Sequence, residues 1–157
     1  KAYCTRVGSG PFPTELLDET GEKIRTIGNE FGSTTGRPRR CGWIDLVALQ
    51  FACMINGVTQ IIMTKADILD NLDELKVCNS YLVNGEEKKY VPFQMQKVNI
   101  EPLYKTFTGW KKDITQIKEF NALPGEMKNY ISYLNDFLGV PVKYISNGPG
   151  RDQLVVA

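Results

Sequence analysis

The sequence predicts a mixed α/β fold, strands with buried and amphipathic helices, in a single domain spanning residues 1–157. Three observations predict it. An apolar stripe with helical period runs through Met127, Tyr130, Ile131, Leu134, Phe137 and Leu138. Short β-rich runs recur at residues 59–64, 75–83 and 140–145. Polar, glycine- or charge-bearing segments follow two of these runs directly, and open α/β sheets gather their ligands at such strand ends.

Residues 1–13 read as the end of a strand entering a Gly/Pro turn. Gly8-Ser9-Gly10 is followed by Pro11 and lacks the third glycine, so a dinucleotide fingerprint is excluded. Residues 43–56 read as a helix apolar nearly all round, with Ile44, Val47, Ala48, Phe51 and Ile55 at helical spacing and Asn56-Gly57 as its stop. Such a helix is expected to be buried. A β run at 59–64 ends just before Lys65. The strand at 75–83 turns at Asn84-Gly85 into a second arm at 86–92. Pro124 opens the amphipathic helix and Gly139 ends it. The run at 140–145 then delivers Ser146-Asn147-Gly148-Pro149.

The 157 residues suffice for one hydrophobic core. A hydrophobic fraction of 42% and a charged fraction of 24% are ordinary for a soluble globular protein. A net charge of +1 provides no global field to draw the chain to nucleic acid or a membrane. The apolar stretch at 43–55 is interrupted by Asp45 and Gln50 and is too short for a span. No charged region followed by an apolar core opens the sequence, so no secretory signal is read. Cys4, Cys41, Cys53 and Cys78 lack C-x-x-C spacing, and Cys53 and Cys78 read as reduced core thiols of a cytosolic protein. Cys41 follows three arginines but reads as structural. There is no histidine, which excludes Ser-His and Cys-His pairs and leaves carboxylates, lysines and binding electrostatics.

The most informative segment is Gly32-Ser33-Thr34-Thr35-Gly36-Arg37-Pro38-Arg39-Arg40-Cys41-Gly42-Trp43. It is rich in donors and poor in apolar side chains. Guanidinium forks match carboxylates and phosphates, so the expected ligand is small and anionic. In Thr64-Lys65-Ala66-Asp67 the carboxylate either accepts from two adjacent donors of a flat base, with the Lys stem over the ring, or caps the segment that follows. Asp70, Asp73 and Glu74 extend an acidic run that is not a calcium loop and reads as a solvated helix face. Lys88-Lys89 and Lys111-Lys112 read as solvated pairs, without the aromatics of a single-strand nucleic-acid groove.

Four stretches together resemble the adenylosuccinate synthetase family of purine-biosynthesis ligases. They are Thr5-Arg6-Val7-Gly8-Ser9-Gly10-Pro11-Phe12-Pro13-Thr14-Glu15-Leu16, the arginine loop with its lead-in Gly28-Asn29-Glu30-Phe31, Thr64-Lys65-Ala66-Asp67, and Ile145-Ser146-Asn147-Gly148-Pro149. They stand in the family's order. The chain departs from the usual pattern at Lys105, where an acid is common, and at Thr108, where proline is common.

The resemblance implies the carboxyl-terminal part of the synthetase fold, supplying aspartate capture and guanine recognition. It assigns Val7, Ser33, Thr34, Thr35, Gly36, Arg37, Pro38 and Arg39 to L-aspartate and inosine monophosphate (IMP). It assigns Arg39, Lys65, Ala66, Asp67, Ser146, Asn147 and Gly148 to GTP, and leaves Arg40 as a partner for a surface acid. The implied reaction phosphorylates O6 of IMP from GTP, then lets the aspartate amine displace phosphate to give adenylosuccinate. GTP is a co-substrate, and Mg2+ and the catalytic groups are implied on a phosphate loop outside this chain. The chain alone is therefore expected to be inactive. The resemblance also implies a cytoplasmic homodimer. A non-catalytic guanine-nucleotide-binding module is the alternative reading, and the +1 charge argues against an RNA-binding role for the arginines.

Overall fold

A computed structural model describes residues 1–157. The structure is mixed α and β, and it divides into two compact units. The first comprises Lys1–Ala2, Leu49–Leu75 and Thr106–Ala157; the second comprises Tyr3–Ala48 and Lys76–Lys105.

In the second unit, β1 (Cys4–Arg6) pairs antiparallel with β2 (Arg40–Gly42), matching Arg6 to Arg40. Between them lies α1 (Glu19–Ile27). Asp18 caps α1 by accepting from the amides of Thr20 at 3.0 Å and Gly21 at 3.1 Å, and Gly28 ends it. Only Gly21 and Ile24 of α1 are buried. Its apolar stripe is too thin to show as periodicity, which is why the sequence reading passes over it; the cap and acidic first turn were its available signals.

The residues at 43–56 correct the expectation of one long buried helix. Ile44–Asp45 form β3, and α2 begins at Leu46 and ends at Asn56. Asp45 explains the break. Its carboxylate accepts from the Ala48 amide at 3.1 Å and from the Tyr81 hydroxyl at 2.5 Å, so it serves as the helix cap. Leu46, Val47 and Cys53 are buried, but Phe51, Met54 and Ile55 are exposed. Burial pushes the Asp45 carboxyl up, against the opposing hydrogen bond from Tyr81.

β3 pairs in parallel with β5 (Glu74–Val83), which turns through Asn84-Gly85 into β6 (Glu86–Lys88). Asn84 at φ 51° and Gly85 at φ 86° both take the left-handed conformation of a tight hairpin. β7 (Ile100–Thr108) also pairs with β5. The divergent Lys105 and Thr108 sit exposed on that strand. Val47, Cys78 and Tyr81 form a core cluster with Val83, Val91, Ile100 and Tyr104 packed against it.

In the first unit, β4 (Ile61–Met63), β8 (Val142–Ser146) and β9 (Leu154–Val156) form a sheet with β8 central. β4 and β8 run parallel, with Met63 opposite Ile145. α3 (Gly125–Leu138) buries Met127, Tyr130, Ile131, Leu134 and Leu138, the expected stripe. Pro124 precedes its first residue, and Gly139 closes it at φ 65°. Phe107 meets Tyr130 edge-on at 5.5 Å. Gly109 is required where it stands, because a Cβ there would fall 1.8 Å from the Leu72 carbonyl oxygen.

Candidate functional site

The arginine loop lies wholly in the second unit. It closes on itself through the Gly32 amide to the Arg37 carbonyl at 2.9 Å and the Gly36 amide to the Gly32 carbonyl at 2.8 Å. Gly36 holds φ 65°, which favours glycine. The β1–β2 register then sets residues 6–8 beside residues 38–40. The result is a cleft of about 510 Å³ lined by residues 6–8, 32–35 and 37–40. Val7, Ser33, Thr34, Thr35, Arg37, Pro38 and Arg39 are thus brought to one cavity, and Gly36 supplies its turn. Arg6 and Arg40 also line it; neither was assigned to a ligand from sequence.

The three arginines are not equivalent. The Arg39 guanidinium donates to the fully buried Glu30 at 2.8 Å, and the Tyr3 hydroxyl donates to the same carboxylate at 2.6 Å. Arg40 is bidentate with Glu15, at 2.7 and 2.5 Å, and donates to the carbonyls of Gly8 and Gly10. That hydrogen bond holds the Glu15 carboxyl below its ordinary range. Arg40 therefore staples the residue 8–10 turn to the loop. Arg37 is exposed and has no carboxylate partner within the chain. Of the three, it is the arginine whose fork faces the cleft without an internal anion to satisfy it.

The second set of residues lies in the first unit. Because β4 and β8 are parallel, with Met63 opposite Ile145 beyond a bulge at Ile61/Ile62, Lys65-Ala66-Asp67 and Ser146-Asn147-Gly148 leave the same end of the sheet, its polar edge, from adjacent strands. Lys65 takes the left-handed conformation at φ 59°, and Ala66–Leu69 form a single 3-10 turn. Lys65, at the N-cap position, makes no side-chain cap, and the Asp67 carboxylate accepts from its own backbone amide. Lys65 and Asp67 are half-buried and Ala66 is buried. Burial raises the Asp67 carboxyl, Lys65 opposes that, and Asp113 adds to it.

Asn147 is fully buried. Its side-chain amide donates to the carbonyls of Ile114 at 2.5 Å and Ile117 at 2.9 Å. Its backbone amide donates to the Gln153 carbonyl at 3.1 Å, and its Oδ1 is buried without a partner. The Ser146 hydroxyl donates to the Gly148 carbonyl at 3.2 Å. A Cβ at Gly148 would fall 2.4 Å from the end of the Gln153 side chain, which would have to move aside.

Asp70 corrects the expectation of a solvated acidic face. It is 7% exposed. It accepts from the Trp110 indole N–H at 2.6 Å and from the Ile114 amide at 3.1 Å. Asp73, by contrast, is exposed and pairs with Lys111. Desolvation pushes the Asp70 carboxyl up to about 6, offset by those two donors and reinforced by the charges of Asp113 and Asp67. A folded-state value above the unfolded one means that the folded protein holds the proton more tightly. The linked stability is fully present below an unfolded pKa of about 4 and is lost as pH rises through about 6. Asp70→Asn is expected to flatten this slope when thermal midpoints are compared across that window. Parallel profiles for the two proteins would contradict it.

Asp45 and Tyr81, also strongly buried, belong to the helix cap described above. The chain presents no group of three His, Cys, Asp or Glu side chains that could hold a metal ion. No helix is long and apolar enough to cross a membrane.

A mixed α/β chain with an arginine-lined cleft and polar segments at two parallel strand ends belongs to the class of α/β proteins that gather ligands at strand ends. Residues 1–155 match the sequence model of adenylosuccinate synthetase, and the chain belongs to that family. The adenylosuccinate synthetase of Azobacteroides pseudotrichonymphae is 56% identical over 156 residues, covering 99% of this chain and 37% of that protein. That of Parabacteroides distasonis is 55% identical with the same coverage. The solved structure of the fully ligated synthetase from Plasmodium falciparum aligns with TM-score 0.93 at 40% identity, over 99% of this chain and 38% of that one. The chain thus spans little more than a third of the length of these relatives.

Proposed function

We propose that this chain forms the carboxyl-terminal part of an adenylosuccinate synthetase and supplies its L-aspartate loop and its guanine-reading edge. The complete enzyme joins L-aspartate to IMP at the expense of GTP. It works in the cytoplasm as a homodimer, and its phosphoryl-transfer groups and Mg2+ ligands lie outside these residues. Arg37, with Thr35, holds the aspartate carboxylates and also lies near IMP. Arg39 reaches toward GTP with one side of its guanidinium held by Glu30. Val7 and Gly8 pass the nucleotide ribose. Lys65 lies over the guanine ring, and Asp67 accepts from the ring N–H and the exocyclic amine, with residues 146–148 closing the edge. Residues 1–157 act as one domain in this reading and have no synthetase activity alone.

The observation that carries the guanine assignment is the parallel register of Met63 with Ile145, which brings both polar motifs to one edge. The alternative is a guanine-nucleotide-binding module without catalysis; it uses the same edge.

The test is Asp67→Asn in the complete synthetase. A carboxylate only accepts, which suits the two adjacent donors of guanine. Xanthine replaces the amine with a carbonyl. An Asn amide can donate to that carbonyl while its oxygen still accepts from the ring N–H, but against guanine it loses one contact. An unpaired buried polar group costs about 1–3 kcal/mol, so the ratio of kcat/KM for GTP over XTP is expected to fall by about tenfold. A constant ratio would sink the assignment.

A further inference from the structure

We infer that Asp70 and Asn147 are positioning residues for guanine recognition, clamping the turn at residues 113–117 from opposite sides so that the two halves of the edge keep one spacing. The inference rests on the guanine reading of this edge.

Asp70 belongs to the segment that carries Lys65 and Asp67: its amide donates to the Asp67 carbonyl at 3.2 Å. From there its carboxylate reaches the Ile114 amide at 3.1 Å and, on its other oxygen, the Trp110 indole at 2.6 Å. Asn147 belongs to the other half. Its amide takes the Ile114 carbonyl at 2.5 Å and the Ile117 carbonyl at 2.9 Å. One peptide-bearing residue, Ile114, is thus held by its N–H from one half and by its C=O from the other. Ile114 is itself fully buried. Gln153 adds a third tie, donating to the Thr115 carbonyl at 3.2 Å while its own carbonyl accepts the Asn147 amide at 3.1 Å.

This arrangement is more than packing requires. An aliphatic residue at position 70 would avoid burying a carboxylate, and burying a charge is costly unless it orders something. What Asp70 orders is the turn that also determines where Asn147, and with it the backbone of residues 146–148, can stand. Base-reading contacts lose strength steeply with misplacement, so a rigid spacing between the halves is what the edge needs.

The experiment uses the complete synthetase with Asp70→Asn, Asn147→Asp and the double variant. An amide has one acceptor where the Asp70 carboxylate uses two, and a carboxylate at 147 sets acceptor against two carbonyls. Each single variant is expected to raise the GTP KM about tenfold, with kcat at saturating GTP within about twofold and the KM for IMP and aspartate unchanged. Because both act through Ile114, the double variant is expected to be no more than about threefold worse than either single one. A multiplicative double effect, an unchanged GTP KM, or equal rises for all three substrates would overturn the inference. If either buried variant does not fold, Gln153→Leu carries the test: a rise of about threefold confined to GTP supports the clamp, and no rise overturns it. Asp67→Asn is run in parallel. A constant GTP/XTP ratio there removes the guanine reading and the clamp together. A shifted ratio with a normal GTP KM in Asp70→Asn removes the clamp alone.

Discussion

Glu30→Ala is expected to lower stability by about 3 kcal/mol, because it strips a buried carboxylate from two donors at once. Glu30 is fully buried and accepts from the Tyr3 hydroxyl at 2.6 Å and the Arg39 guanidinium at 2.8 Å. Removing it unpairs those two hydrogen bonds and leaves a cavity. Arg39 is about a third exposed, so water recovers part of its loss, and the larger share comes from the Tyr3 hydroxyl and the void. The Arg39 carbonyl still receives the Arg25 side chain at 2.9 Å, so the strand end stays anchored while the guanidinium moves. Glu30→Gln keeps the shape and one acceptor, and is expected to cost less than half as much. Thermal or denaturant unfolding of the two variants checks the order. Equal losses would show that the contacts of the carboxylate, not the void, set the cost.

Arg37→Leu is expected to weaken aspartate use in the complete synthetase by about tenfold to a hundredfold. A charge-assisted, bidentate contact contributes roughly 1.5–3 kcal/mol, and leucine retains neither the charge nor the fork. Because Arg37 is exposed and pairs with no carboxylate of the chain, its loss is expected to leave stability nearly unchanged. Arg40→Leu is the contrast. It breaks the Glu15 pair and frees the residue 8–10 turn, so it is expected to disturb the whole cleft rather than one substrate. A raised GTP KM with unchanged aspartate KM in Arg37→Leu would contradict the assigned role.

The sequence by itself determined the α/β class, the amphipathic helix ended by Gly139, the Asn84-Gly85 hairpin and the family. Each is local. Periodicity, a turn's need for positive φ and a string of motif residues are all written in consecutive positions. The same locality misread residues 43–56, where a helical apolar period hid the β3 strand and the Asp45 cap, because the Tyr81 hydroxyl that fixes Asp45 comes from 36 residues away. It also made Asp70 a surface acid. Only the tertiary structure supplied Glu30 to Arg39 and Glu15 to Arg40 and left Arg37 without a carboxylate, and only it buried Asp70 between Trp110 and Ile114. A side chain's charge is a property of the residue, but its satisfaction and burial depend on what the fold places beside it, and those partners lie from 9 to 44 residues away in the chain.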